Sequence, residues 1–205
     1  MKITLASISP RKKEMLSWLG INFDVVDPTT DEYAIRDNDP EKLTQLLAEA
    51  KAEAARGMVN GGIIIGSDSV VSFNNQIFEK PKDKNHQREL IKIQRGKKAA
   101  TVSTICVINL STDEKIIKTK TTDYRVANVT DEQIEAYIKS EKGLDKAGGF
   151  GLQDENGMFV EEILGCYPNV IGFPICEVVD IFKKIGIQID VNIKDIVKEK
   201  VGYEC

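Results

Sequence analysis

The 205 residues predict an α/β chain with a mixed sheet flanked by helices, and three stretches carry that prediction. Residues 3–5 read as a short strand that leads through small residues into a helix start at Ser9 and Pro10. Ile63, Ile64 and Ile65 form an apolar run of the kind buried on both faces of a sheet. Residues 101–110 and 115–127 are long β-rich runs joined by Ser111, Thr112, Asp113 and Glu114, the pattern of an antiparallel ribbon.

Ser9 is placed as the N-cap of the first helix and Pro10 as its first residue, since the missing proline N–H would be unpaired there in any case. Met15, Leu16 and Leu19 then recur at helical spacing. Arg11, Lys12 and Lys13 fall in the first turn, at the positive end of the helix dipole, where cations are mildly destabilising. A strand, a small-residue turn and a helix start with surplus cations describe an anion cradle, with phosphate the natural guest. A merely solvated basic helix start is the equal alternative.

Residues 23–26 read as a second strand, and 28–39 as a polar loop with adjacent carboxylates at Asp31 and Glu32. A long helix follows over 40–58, capped by Asp39 and begun by Pro40, with Leu43, Leu46, Leu47, Ala50 and Ala54 along one side. The apolar run at 63–65 ends in Gly66, Ser67, Asp68 and Ser69, and Asn74 with Asn75 marks a hairpin turn. Asp83 caps a helix reaching residue 93. Thr130 and Glu132 begin another, which carries Ile134, Tyr137 and Ile138. Gly148, Gly149 and Gly151 crowd the next segment, a strand is expected over 159–164, and Pro174 introduces a helix with Val178, Val179 and Phe182. Beyond Gly186, Ile187, Ile189, Val191 and Ile193 alternate with polar residues, as in an added edge strand or a poorly ordered end.

Composition bounds the function. At 41% hydrophobic and 29% charged residues, the chain can bury a core as one α/β domain or as two lobes sharing a cleft. A net charge of −4 argues against a protein that coats nucleic acid through a general basic field, so any cationic site must be local. No apolar run approaches the ~20 residues of a membrane helix, and no signal-peptide pattern opens the chain. Cys106, Cys166, Cys176 and Cys205 show neither CxxC spacing nor partner histidines, so free thiols in a reducing cytoplasm are expected and a zinc site is not.

Several residues could carry chemistry. Asp68, where the apolar run gives way to small residues, can hold a divalent metal or act as general base on a water, or can simply satisfy turn N–H groups. Glu32 matters only as a second metal carboxylate beside Asp68 and is otherwise a solvated loop residue. Lys51 stands among alanines and Lys80 before Pro81; each is a phosphate ligand or an ordinary exposed lysine. Gly148, Gly149 and Gly151 can bring backbone close to a ligand, with the Gln153 amide suited to a base edge, or form a tight structural turn. His86, the single histidine, lies in a polar stretch and supports no Ser-His-Asp or Cys-His arrangement. Neither GxxxxGK[ST] nor GxGxxG is present.

Taken in order, seven segments resemble one family. Leu5-Ala6-Ser7-Ile8-Ser9-Pro10-Arg11-Lys12 resembles the LASxSPRR signature of Maf-like nucleoside triphosphate pyrophosphatases. Asp31-Glu32 is similar to the family's loop carboxylate, Lys51-Ala52 to its KA pair, residues 66–71 to its (G/A)ADTVV motif and Lys80-Pro81 to its KP. Residues 145–153 resemble DKAGxYxIQ, and residues 169–174 resemble NVxGLP. The likeness spans about residues 3–185, which sets a two-lobed domain over 1–186 apart from a C-terminal extension over 187–205.

The resemblance implies an elongated, inosine-triphosphatase-like fold around a deep cleft, in a cytoplasmic homodimer. It implies cleavage of a nucleoside triphosphate between its α and β phosphates, giving the monophosphate and pyrophosphate with Mg²⁺ or Mn²⁺ as cofactor. Asp68, Lys51 and Lys80 are then catalytic. Ser7, Arg11, Lys12, Ser69 and Gln153 bind substrate, and Glu32 with Asp68 binds metal. Arg, Thr and Gln at three marker positions distinguish the dTTP/UTP branch from the 7-methyl-GTP branch, and this chain, with Lys12, Ser69 and Gln153, resembles the former. Lys12 replaces the second signature arginine, trading a planar fork for a point charge, and Ala99 stands where many members carry histidine. These departures leave modified nucleotides open as substrates. A non-catalytic, nucleotide-sensing regulator of cell division or septum formation is the alternative; neither reading involves nucleic acid or membrane.

Overall fold

Ile3–Ala6 is a fully buried strand, β1, which feeds α1 over Pro10–Ser17. Pro10 takes the first turn as expected, but the Ser9 hydroxyl makes no capping bond. The Ser9 N–H instead donates to Ser7 Oγ at 3.3 Å, so the small-residue turn is tied to itself. The second strand, β2, is Asp24–Val26, and a 3₁₀ turn over Glu32–Ala34 breaks the following loop. Helix α2, Pro40–Arg56, starts as its sequence dictates, with the Asp39 carboxylate accepting the N–H groups of Glu41 and Lys42. The remaining elements are β3 (Ile63–Phe73), β4 (Gln76–Phe78), α3 (Lys84–Gln94), β5 (Lys98–Asn109), β6 (Glu114–Val126), α4 (Asp131–Lys139), β7 (Val160–Leu164), α5 (Tyr167–Val170), α6 (Ile175–Lys184) and α7 (Ile193–Val201). This computed structural model describes residues 1–203, without the side chains of residues 155 and 156.

The sheet has seven strands in the order β2-β1-β3-β5-β6-β7, with β4 paired to β3. Pairing is parallel from β2 through β1 to β3 and antiparallel elsewhere, so the predicted mixed sheet with flanking helices is present. Side-chain alternation along β3 shows how the core is divided. Ile63 and Ile65 join a cluster with Met15 and Leu16 of α1, Phe182 of α6 and Val197 of α7. Val71 and Phe73, farther along the same face, join a second cluster with Ile91 of α3, Tyr137 of α4 and Phe159. Ser67 and Ser69 fall between these two apolar groups.

The opposite face of β3 is covered by α2. Ala48, Ala52 and Ala55 pack with Ile64 and Cys106, while Leu43 and Leu47 pack with Val70 and Val102. The buried stripe overlaps the expected one only in part: Leu43 and Leu47 are buried as expected, Leu46 is exposed, Ala50 and Ala54 are half-buried, and Thr44, Ala48, Lys51, Ala52 and Ala55 are buried in addition. Small residues win that face because the helix backbone lies almost on the strand. A Cβ on Gly66 would stand 2.8 Å from the Ala52 nitrogen and collide with the Ala48 carbonyl.

Two tail expectations change. The described residues beyond Gly186 form neither an edge strand nor a loose end, because α7 buries Ile193 and Val197 one turn apart, capped by Asn192. The strict alternation from Ile187 to Ile193 concealed that spacing. Cys106 is a buried free thiol, as expected, and Cys166 is buried as well. Cys176 is disulfide-bonded, contrary to the all-thiol expectation, and Cys205 lies outside the described residues. Among the described residues no helix is long and apolar enough to cross a membrane.

Gly66→Ala is expected to push α2 off β3 at a cost of about 1–3 kcal/mol. A urea unfolding midpoint unchanged from wild type contradicts this contact.

Candidate functional site

The site forms where β1 stops. β1 pairs with one edge of β3 from Ile3↔Ile63 to Ala6↔Gly66, and β4 takes up the same edge only at Val71. Residues 67–70 keep β5 on their other side and have no strand here. Backbone groups on such a gap need partners from elsewhere. Lys12, in the first turn of α1, supplies one: its Nζ donates to the Ser67 carbonyl at 2.7 Å.

Asp68 lies inside this gap. It was expected at a strand end, yet β3 continues through it, with Asp68 opposite Thr104 of β5. The small residues after Ile65 do not end the strand because β5 offers a matching run. What ends is the parallel neighbour β1, and the carboxylate stands at the opening all the same. It points to the α2 face, where Lys51 Nζ donates to Asp68 Oδ1 at 2.5 Å. Both side chains are about nine-tenths buried, at 11% and 10% exposure. Lys51 Nζ also lies 3.0 Å from Glu32 Oε1, whose side chain is half exposed. Of the two loop carboxylates, Asp31 is structural: it accepts the N–H groups of Tyr33 and Ala34 and so forms the 3₁₀ turn that aims Glu32 inward.

These charges perturb one another. Burial opposes charging Lys51, but Asp68 and then Glu32 outweigh it and hold the ammonium above the ordinary lysine range. Lys12 goes the other way. Burial, followed by repulsion from Lys51, pushes it down to about 7, with Asp68 and Glu32 offsetting only part. Arg11 adds a weaker repulsion to Lys12 and reaches the field of Asp145. The Asp145 carboxyl is held below its usual range, against its burial, by Lys146 and more weakly by Arg11.

The structure thus brings Lys12, Lys51, Asp68 and Glu32 into one cluster, with Arg11 at its side. Other candidates sit apart. Ser7 is half-buried in the β1–α1 turn. The Ser69 hydroxyl donates to the Gly172 carbonyl at 2.9 Å, joining β3 to the loop after α5. Lys80 is exposed, beside Glu79, whose carbonyl accepts the Gly148 N–H. Gln153 is exposed on the turn after Gly151. Lys80 and Gln153 make no ion pair or hydrogen bond to the Asp68 cluster among the described residues.

Sequence reasoning missed the supports of the glycine-rich segment. Gln87 and Gln94 of α3 are fully buried, and their amides donate to the Gly149 and Gly148 carbonyls at 2.9 and 2.8 Å. Their seven-residue spacing places both on one helix face with Leu90 and Ile91, a signal available in the sequence. Tyr137 Oη donates to Asp154 Oδ2 at 2.6 Å, with Lys146 Nζ at 3.5 Å from the same oxygen. Asn169 is buried and donates to the carbonyls of Thr101 and Lys120 and to Thr122 Oγ1.

No group of three or more His, Cys, Asp or Glu side chains among the described residues is arranged to hold a metal ion. Asp68 and Glu32 provide two hard oxygen donors that converge on one point, now taken by Lys51 Nζ. That set fits a cation such as Mg²⁺, which commonly takes one or two carboxylates and completes its shell with water and phosphate oxygens.

Comparison with known proteins places the chain in a family. The sequence profile described as "Maf-like protein" matches residues 2–185, and the chain belongs to that family. A Clostridioides difficile (strain 630) protein named dTTP/UTP pyrophosphatase is 35% identical over 184 residues, 90% of this chain and 95% of that one. One of the same name from Clostridium beijerinckii is 36% identical over 187 residues, 90% of this chain and 100% of that one. The fold is similar to that of the Staphylococcus aureus Ham1 protein, with a TM-score of 0.52 at 14% identity over 90% of this chain and 100% of that one. A Coxiella burnetii HAM1 protein gives 0.50 at 12% identity, over 90% of this chain and 99% of that one.

Lys12 is expected to titrate near pH 7 in the metal-free protein, read from its ¹³Cε shift, and to move upward in Lys51→Met. The unfolded chain keeps this proton to about 10.5, whereas the folded chain releases it from about 7. Its burial cost is therefore full below pH 7 and relieved as pH rises to 10.5, a slope that Lys12→Met should flatten. A Lys12 midpoint among the other lysines contradicts the arrangement.

Proposed function

We propose, with membership of the Maf-like family as premise, that this chain hydrolyses nucleoside triphosphates between the α and β phosphates, releasing the monophosphate and pyrophosphate. The supporting observation is the convergence of Lys12 and Lys51 with Asp68 and Glu32 at the gap between β1 and β4. The names of the relatives make dTTP and UTP the first substrates, with modified nucleotides next. Mg²⁺ or Mn²⁺ as cofactor, a homodimer and a cytoplasmic setting belong to the same proposal.

Phosphoanhydride hydrolysis needs little covalent help from protein; it needs positioned charge. Lys51, Lys12 and Arg11 neutralise the triphosphate and the charge that grows on the departing pyrophosphate. Lys80, exposed at the rim beside the glycine-rich segment, meets the distal phosphates. Asp68, whose Oδ1 is held by Lys51 in the ligand-free protein, uses its other oxygen to orient a water and take its proton as oxygen attacks the α phosphorus. The bond to the bridging oxygen breaks, and the electron pair leaves with pyrophosphate. Asp68 and Glu32 would hold a divalent cation, which would supply Lewis-acid polarisation of the reacting phosphate. Ser7 and the first turn of α1 bind phosphate. Gln153 reads the base, and Ser69, bonded to Gly172, acts with it by fixing the loop beside the base.

The test is a pyrophosphate-release assay across canonical and modified triphosphates with Mg²⁺ or Mn²⁺. Turnover with dTTP or UTP foremost is expected, and binding without turnover of any triphosphate would favour the regulator and overturn the reading. Asp68→Asn is expected to lower kcat at least about 10³-fold, and Glu32→Gln, which alters a half-exposed ligand, about 10- to 100-fold. Wild-type turnover by a folded Asp68→Asn protein removes Asp68 from the mechanism.

A further inference from the structure

One ammonium occupies the point on which both site carboxylates converge. Lys51 Nζ is 2.5 Å from Asp68 Oδ1 and 3.0 Å from Glu32 Oε1, so it holds the oxygen donors that a hard divalent cation would take. Lys12 is close enough to feel Lys51, Asp68 and Glu32, and it is pinned to the Ser67 carbonyl at 2.7 Å. The Lys51 ammonium already offsets much of the charge of the two carboxylates, and Lys12 adds to this where it is protonated. A divalent cation arriving alone meets the Lys51 ammonium in a largely buried pocket, where like charges repel far more strongly than in water. It can reach Asp68 only by displacing Lys51, which would then be buried without a counter-ion.

We infer that Lys51 is an exchangeable counter-ion: it closes the two carboxylates to free divalent cations and transfers to phosphate oxygens when the cation arrives already bound to a polyphosphate. This rests on the triphosphate reading of the site. A metal–triphosphate complex brings the anions that Lys51 and Lys12 need, so the exchange leaves no buried charge alone. The side chains suit it. The Lys51 stem is flexible and its helix neighbours Ala50, Ala52, Ala54 and Ala55 are small, while the half-exposed Glu32 can turn with it. The cation therefore enters as part of the substrate, not as a resident group.

The experiment is titration of nucleotide-free protein with Mn²⁺, following the free ion by electron paramagnetic resonance. Lys51→Met is expected to bind Mn²⁺ at least about tenfold more tightly than wild type. Lys51→Gln, which keeps a donor for Asp68, is expected to shift affinity in the same direction. Adding Asp68→Asn to Lys51→Met removes the gain. Equal Mn²⁺ affinity in wild type and both variants overturns the inference, as does a gain that survives Asp68→Asn. A nucleotide-free wild type that already binds Mn²⁺ with a Kd of about 1 μM overturns it too. No nucleotide is present, so this result stands apart from the turnover assay: failed turnover sinks the proposed function, and failed Mn²⁺ gain sinks only the counter-ion role.

Discussion

Everything at the site depends on burying an ammonium and a carboxylate together between α2 and β3. Removing one partner from such a pair strands the other at a cost of about 3–5 kcal/mol, so Lys51 and Asp68 separate only where each gains another counter-ion. The pair can form only because helix and strand approach so closely. Ala48, Ala52 and Ala55 give the helix a bare face, and Gly66 removes the last obstacle on the strand. Packing thus sets the electrostatics: a bulkier residue on either side would lift Lys51 away from its carboxylate.

Among the described residues, the sheet leaves one edge of β3 without a neighbouring strand along four residues, while β5 pairs with the other edge. β1 ends opposite Gly66, β4 begins at Val71, and between them the Ser67 carbonyl accepts from Lys12 Nζ. The same stretch separates two apolar clusters, one beneath α1, α6 and α7 and the other beneath α3 and α4. The polar residues of this stretch are not all solvated: Ser67 is fully buried, and Asp68 is nearly so, in its ion pair with Lys51. Ser69, bonded to the Gly172 carbonyl, ties the loop after α5 across this divide.

Much of this was legible in the chain. Capping residues and prolines announced α1, α2 and α3, and the isoleucine run announced β3, since each rests on local chemistry. The Asp68, Lys51 and Glu32 cluster was legible only through the family resemblance. No spacing rule links positions 32, 51 and 68, because tertiary packing alone brings them together. The buried stripe of α2 was read correctly at Leu43 and Leu47 but not at Leu46, and its buried Lys51 looks like surface. Helix α7 was hidden by an accidental alternation of apolar residues. The clamps on the glycine-rich segment were missed because a buried glutamine reads as a solvated one until its backbone partners are placed.

Arg11 and the field of Asp145 link the α1 side of the site to the glycine-rich side, where Lys146, Asp154 and Tyr137 form their own bonded group. Under the proposed function, the substrate's two ends meet separate supports, phosphate at the gap and base at the 145–153 segment. The central claim is that Lys51 and Asp68 act as one coupled unit, and a double-mutant cycle on kcat/KM for pyrophosphate release measures it. The account predicts that Lys51→Met combined with Asp68→Asn loses little more than the worse single variant, as groups acting together do. Losses that simply multiply across the cycle would show two independent residues and contradict it.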